Sequence, residues 1–144
     1  MTEPKTISEL MNLVMEECKK GNFNSAIIFL NKAIEINPND CRFYISRGTF
    51  KAKEIHEDAI NDYKKAIEIE PNNVFAYRLR ADSKSKLGDN EGAIDDYTKA
   101  IEIFPIKPNK AYLYNYRASA KRKLGDNEVA DEDDRKAEKL KNIF

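Results

Sequence analysis

The chain has little of what most chemistry requires. Its 144 residues hold one histidine, His56, two cysteines, Cys18 and Cys41, and no tryptophan. The cysteines have no paired spacing and no histidine cluster beside them. Neither a disulfide framework nor a zinc site is indicated, and a reducing, cytoplasmic setting is expected. A charge excess is missing as well: 25 Lys and Arg balance 25 Asp and Glu, for a formal net charge of +0. Nucleic-acid and anionic-membrane binders need a basic excess, so neither partner is expected. No apolar run approaches the roughly 18 residues of a membrane span. The opening MTEPKTISELMNLVMEE places acids around a short apolar patch, which is not a signal-peptide pattern. Phosphate-cradling glycine loops and nucleophile elbows are absent. The carboxylate pairs Asp95–Asp96 and Asp133–Asp134 are adjacent in sequence, so on a helix they diverge. The expectation is a chain that is not an enzyme and holds no cofactor or metal.

What the chain does have is repetition. Residues 21–38, GNFNSAIIFLNKAIEINP, are echoed by IHEDAINDYKKAIEIEP, GDNEGAIDDYTKAIEIFP and GDNEVADEDDRKAEKL. The shared alanines Ala26, Ala59, Ala93 and Ala130 lie 33, 34 and 37 residues apart. A fixed period in this range predicts stacked helical units, in which each unit touches only its neighbours. Residues 1–5 read as a disordered lead, followed by a single repeat domain over 6–144. Its units run approximately over 7–40, 41–73, 74–107 and 111–142.

Each unit reads as helix, short turn, helix. Thr6-Ile7-Ser8-Glu9 is a capping box for the first helix, which Lys19-Lys20-Gly21 ends. The second helix is expected over 25–36, stopped by Asn37-Pro38-Asn39. Pro71 and Pro105 close the next two units, and the insert 106–110 lengthens the last spacing. Repeat two is one residue short and has Ile55-His56 where the others have glycine, which predicts a tighter or irregular bend. The recurrent alanines, with Gly48, Ala81 and Ala118 opposite, let paired helices approach to about 8–10 Å. Leu30, Tyr63 and Tyr97, with Leu10, Tyr44, Tyr77 and Tyr114, are expected to fill the space between units.

Two positions switch character together. Arg47, Arg80 and Arg117 are equivalent on first helices, and Asp62, Asp96 and Asp133 on second helices; the first unit has Leu13 and Phe29 instead. This predicts an Arg–Asp ion pair in each of the last three units and an apolar contact in the first, the pairs being worth about 1 kcal/mol each if exposed. First helices also end in cations and second helices begin with acids. The helix dipole accounts for that bias, and a basic rim for an acidic partner is the functional alternative. In the last helix Asp134 replaces the large residue, with Asp131, Glu132 and Asp133 around it, as suits a solubilising end unit. Ile143-Phe144 is expected to fold back or to stand exposed.

The pattern Tyr-x-x-Arg-Gly/Ala, then Leu-Gly-Asp-Asn, then Ala-x-x-x-Tyr-x-x-Ala-x-x-x-x-Pro resembles the tetratricopeptide repeat over about residues 7–142. The chain departs from it in lacking tryptophan and in having Arg for the usual first-helix Leu in three repeats. The resemblance implies an all-α, alpha-alpha superhelix (solenoid) of about four helix hairpins whose first helices line a concave groove. Candidate groove residues are then Met11, Met15, Ile45, Thr49, Arg78, Asp82, Tyr112, Asn115, Tyr116, Ser119 and Arg122, with Phe75 and Leu79 divided between groove and packing. Lys53, Lys86, Arg122 and Lys123 sit near one rim. Some family members clamp a chaperone's C-terminal carboxylate. The matching positions here are Met11, Met15, Ser46, Phe75 and Leu79, or one repeat later Ile45, Thr49, Leu79, Tyr112 and Tyr116, and neither set holds a carboxylate. The implied function is a non-enzymatic scaffold or adaptor that binds a peptide or helix of a protein partner, co-chaperone-like but without the clamp. The runner-up is a self-assembling homodimer through end repeats or groove, and a weaker third reading is an RNA-processing accessory using the rim lysines.

Overall fold

A computed structural model describes residues 6–104 and 110–143. The expected lead, the Pro105 break, most of the insert and Phe144 lie outside the described residues. The described residues form helices and no strands: α1 (Ile7–Lys20), α2 (Phe23–Ile36), α3 (Cys41–Lys51), α4 (His56–Ile69), α5 (Val74–Lys86), α6 (Asn90–Ile103), α7 (Ala111–Lys123) and α8 (Asn127–Lys141). They fall into two compact units, one ending at Pro71 and the other beginning at Asn72. Within the first, α1 packs on α2, α2 on α3 and α3 on α4; within the second, the same order holds for α5 to α8.

The local signals act where the sequence places them. Thr6 caps α1 through a capping box with Glu9. Asp40, Asn73 and Asp89 each accept a backbone N–H in the first turn of α3, α5 and α6. These caps satisfy donors that a helix N-terminus leaves free. Gly21, Gly88 and Gly125 have φ of 77°, 86° and 88°, the left-handed conformation that ends a helix and that other residues resist. Repeat two has no such residue. There α3 stops at Lys51, and Lys53, Glu54 and Ile55 donate back to Phe50 and Lys51 in a run of tight turns. The irregular bend expected at Ile55 is present. α2 starts at Phe23, two residues before the sequence reading.

In the N-terminal unit the core gathers Leu10, Val14, Ala26, Leu30, Ala33 and Phe43, with Phe29 packed against it and Leu13 half-buried. Gly48 is buried against Tyr63: a Cβ added there would stand 2.7 Å from the Tyr63 ring. The C-terminal unit has two clusters, one around Val74, Ala100, Ile101 and Leu113, the other around Ala81, Ala93, Tyr97 and Ala120. Of the expected fillers, Tyr77 and Tyr114 are only half-buried.

The three ion pairs form. Arg47, Arg80 and Arg117 each direct Nε and Nη2 at both carboxylate oxygens of Asp62, Asp96 and Asp133, at 2.6–3.0 Å. A lysine four residues after each arginine joins the same carboxylate: Lys51 at 3.2 Å, Lys84 at 2.9 Å and Lys121 at 2.8 Å. Each guanidinium carbon also lies 5.4–5.5 Å from the ring centroid of the tyrosine three residues earlier. The aspartate side chains are 6%, 6% and 1% exposed. The pairs are therefore buried, and the value expected for exposed ones does not apply. Two arginines reach further. Arg47 Nη1 donates to Asn31 Oδ1 on α2 at 2.7 Å, and Arg117 Nη1 to Thr98 Oγ1 on α6 at 2.9 Å, tying each hairpin to the one before it within its unit.

Burial pushes the Asp133 carboxyl up, but hydrogen bonds from Arg117 and Lys121 outweigh it and hold the carboxyl below its usual range. A depressed native pKa supplies stability that is complete above the unfolded value, about 3.9, and is lost as pH falls through the native one. In urea titrations, Asp133→Asn is expected to cost about 3 kcal/mol at neutral pH, since it strands two buried cations. It should also flatten the loss of stability seen below about pH 4. Gly48→Ala should cost about 1–3 kcal/mol by pressing on Tyr63, measured the same way.

Candidate functional site

The candidate residues of the C-terminal unit share helix faces. On α5, Arg78, Asp82 and Lys86 follow at intervals of four; on α7, Tyr112, Tyr116, Ser119 and Lys123 follow at four, three and four. Residues so spaced stack along one side of a helix. Arg78 Nη1 donates to Asp82 Oδ2 at 2.8 Å, and the Tyr97 hydroxyl on α6 donates to Asp82 Oδ1 at 2.6 Å. Asp82 is thus the hub that joins the wall of α5 to the buried ring of Tyr97. Burial, then the bond to Asp82, pushes the Tyr97 phenol far above its ordinary pKa.

An aromatic row continues from that hub. Tyr97 stacks on Tyr116 with centroids 6.0 Å apart and planes 16° from parallel. Tyr116 meets Tyr112 edge-on at 6.0 Å, and Tyr112 meets Phe104 edge-on at 6.4 Å. Tyr116 stays 45% exposed, so the row presents a ring to solvent. Beside it lies an open recess of about 330 Å³ floored by Tyr97 and Tyr116 and edged by Asp82, Ser85, Lys86, Ser119 and Lys123.

The remaining candidates are placed differently. Asn115 is exposed on α7. Arg122 is turned to α8, where it is ion-paired with Asp131 at 2.8 Å and with Asp134. Phe75 is 58% exposed and Leu79 half-buried. In the N-terminal unit Met15 is 56% exposed, Met11 packs on the core, and Ile45 is half-buried. The Thr49 hydroxyl donates to the Ile45 carbonyl of its own helix at 2.8 Å. Lys53 lies 4.4 Å from the centroid of Phe23, which stacks on Phe50 at the hairpin turns.

Tyr97 and Ser85 were not among the sequence candidates. Tyr97 reads as filler between units, yet a buried phenol needs an acceptor. The signal was Asp82, an acid where the equivalent positions carry Thr49 and Ser119.

Two profiles described as tetratricopeptide repeat match the chain, one over residues 62–95 and the other over 11–40 and 50–73. Human serine/threonine-protein phosphatase 5 is 26% identical over 102 residues, and the rat protein of that name matches equally. That stretch is 70% of this chain but 20% of the relative, so the chain spans about a fifth of the curated relatives it matches. A crystal structure of MamA superposes with a TM-score of 0.86 at 23% identity, covering 96% of this chain and 80% of that one. MamA from Desulfovibrio magneticus RS-1 gives 0.82 at 17% identity, covering 92% and 74%. These likenesses show the fold, an all-α helix-hairpin solenoid.

Tyr97→Phe is expected to cost about 1–2 kcal/mol in urea unfolding, because Asp82 keeps only Arg78. A raised phenol pKa favours the folded state at neutral pH, and that support is lost as pH climbs past the unfolded value of about 10. The variant should therefore lose less stability than the parent between about pH 10 and pH 11.

Proposed function

The chain belongs to the tetratricopeptide repeat family, and we propose that it is a non-catalytic scaffold that holds a peptide segment or helix of another protein against α5 and α7. The observation that carries this reading is the aromatic row Tyr112–Tyr116–Tyr97, with the Tyr116 ring facing solvent, beside the Arg78–Asp82 pair. Stiff aromatic rings give large contact area at low entropic cost, and a fixed charge pair beside them orients a ligand backbone or side chain. Asn115 and Ser119 add exposed hydrogen-bonding groups to the same helix. In the N-terminal unit, Met15, Ile45 and Thr49 are the proposed contacts, Met15 being the adaptable one.

Family membership favours an interaction scaffold over the self-assembling module. Among the described residues no helix is long and apolar enough to cross a membrane. The balanced charge argues against nucleic acid as the partner. Cys18 and Cys41 are not joined in a disulfide, which fits the proposed cytoplasmic setting.

Tyr116→Ala removes an exposed ring without opening the core. Capture of the native partner from the source cell, quantified by titration of the isolated complex, should weaken about tenfold or more, a loss near 1.4 kcal/mol. Helicity by circular dichroism should be unchanged. Equal affinity for parent and variant would remove the α5–α7 wall from the binding site.

A further inference from the structure

The cations that end α5 and α7 divide into two groups. Lys84 and Lys121 are bound to the buried Asp96 and Asp133, and Arg122 is bound to Asp131 and Asp134. Lys86 and Lys123 are exposed, and among the described residues neither has a carboxylate within 4.0 Å. Both border the recess beside Tyr116. The chain holds as many acids as bases, 25 of each, so a shortage of anions does not explain the pair. The helix dipole favours cations at the C-terminal ends of α5 and α7 alike and does not separate these two from the three that are paired.

The acid best placed for Lys86 is Asp82, one turn earlier on the same helix. Its two oxygens are taken by Arg78 and by the Tyr97 hydroxyl, and it stays beyond 4.0 Å of Lys86. Lys123 is steadied instead by a neutral group: its Nζ donates to Ser85 Oγ at 2.9 Å, and Ser85 in turn faces Asn90 Oδ1 at 3.4 Å. That contact fixes the ammonium across from α5 while leaving its charge uncompensated. Asp82 also lines the recess, and with its charge set against Arg78 the recess keeps the charges of two lysines over an aromatic floor.

We propose that this recess is an acidic-residue subsite: it receives the side-chain carboxylate of a Glu or Asp in the bound segment between Lys86 and Lys123, with a neighbouring apolar side chain resting on Tyr116. The subsite rests on the scaffold reading above and adds the chemistry of the partner to it. Charge complementarity selects the occupant, because a carboxylate replaces the missing counter-ion at both lysines. The exposed face of Tyr116 and the Ser119 hydroxyl accept the rest of such a side chain.

The test uses fluorescence anisotropy with a labelled peptide of alternating glutamate and leucine, and a counterpart with glutamine for every glutamate. The parent protein should bind the glutamate peptide about tenfold more tightly, and the preference should shrink as salt rises from about 0.05 M to about 0.3 M. In a Lys86→Ser, Lys123→Ser double variant the two peptides should bind alike; both lysines are exposed, so circular dichroism should not change. Equal binding of both peptides to the parent overturns the subsite and leaves the scaffold reading standing. A glutamate preference that survives the double variant overturns it too, by placing the anion elsewhere. Binding of neither peptide also overturns it, while the Tyr116→Ala measurement on the native partner still decides the scaffold reading independently.

Discussion

A guanidinium has five N–H donors in one plane, and this fold spends them on two jobs at once. Nε and Nη2 close on a carboxylate from the partner helix of the same hairpin, as Arg80 does on Asp96 at 2.7–2.8 Å. In Arg47 and Arg117 the free edge then reaches a side-chain oxygen of the preceding hairpin. Lysine has neither the fork nor the reach to do both. The second cation on each aspartate completes a triad of two cations on one buried carboxylate, and its members fix the height of one helix against the next. The tyrosine under each guanidinium gives the hydrophobic side of the same residue somewhere to pack.

Because each buried carboxylate is satisfied within its own hairpin, the surface charge pattern becomes informative. Of the five cations that end α5 and α7, Lys84 and Lys121 are committed inward and Arg122 to α8. The two that are not, Lys86 and Lys123, share a recess with the one ring of the aromatic row that faces solvent. A wall built in this way offers orientation through Arg78–Asp82, area through the rings, and charge at one end. Those are the elements by which an interface separates fit from selectivity.

Much of the fold is written in the period. The alanines, the turn glycines and the capping residues all follow from the requirement that two helices pack closely and stop, and each acts at its own position. The Arg–Asp pairs were legible because Leu13 and Phe29 replace both partners together. The same co-variation extends to Lys51, Lys84 and Lys121, where the first unit has Glu17, and to the tyrosines, where it has Leu10. Sequence reading stopped one step short of that, since a cation on a first helix looks like dipole complementarity. The site was less legible. Arg122 lies among rim cations in the sequence, but Asp131 and Asp134 claim it, and nothing in the spacing tells an exposed arginine which helix it will turn to. Tyr97 was hidden for the opposite reason: a residue needed by the core gives no outward sign of a second role.

That second role has an evolutionary consequence. Tyr97 is held by its hydroxyl to Asp82 and by its ring to Tyr116. Ordinarily a binding surface diversifies freely while the interior is conserved for folding. In the proposed subsite one ring belongs to both, so drift toward a new ligand there would be constrained by the folding of the third hairpin. Divergence between relatives should then concentrate at its edges, at Ser85, Lys86, Ser119 and Lys123, and leave its floor alone.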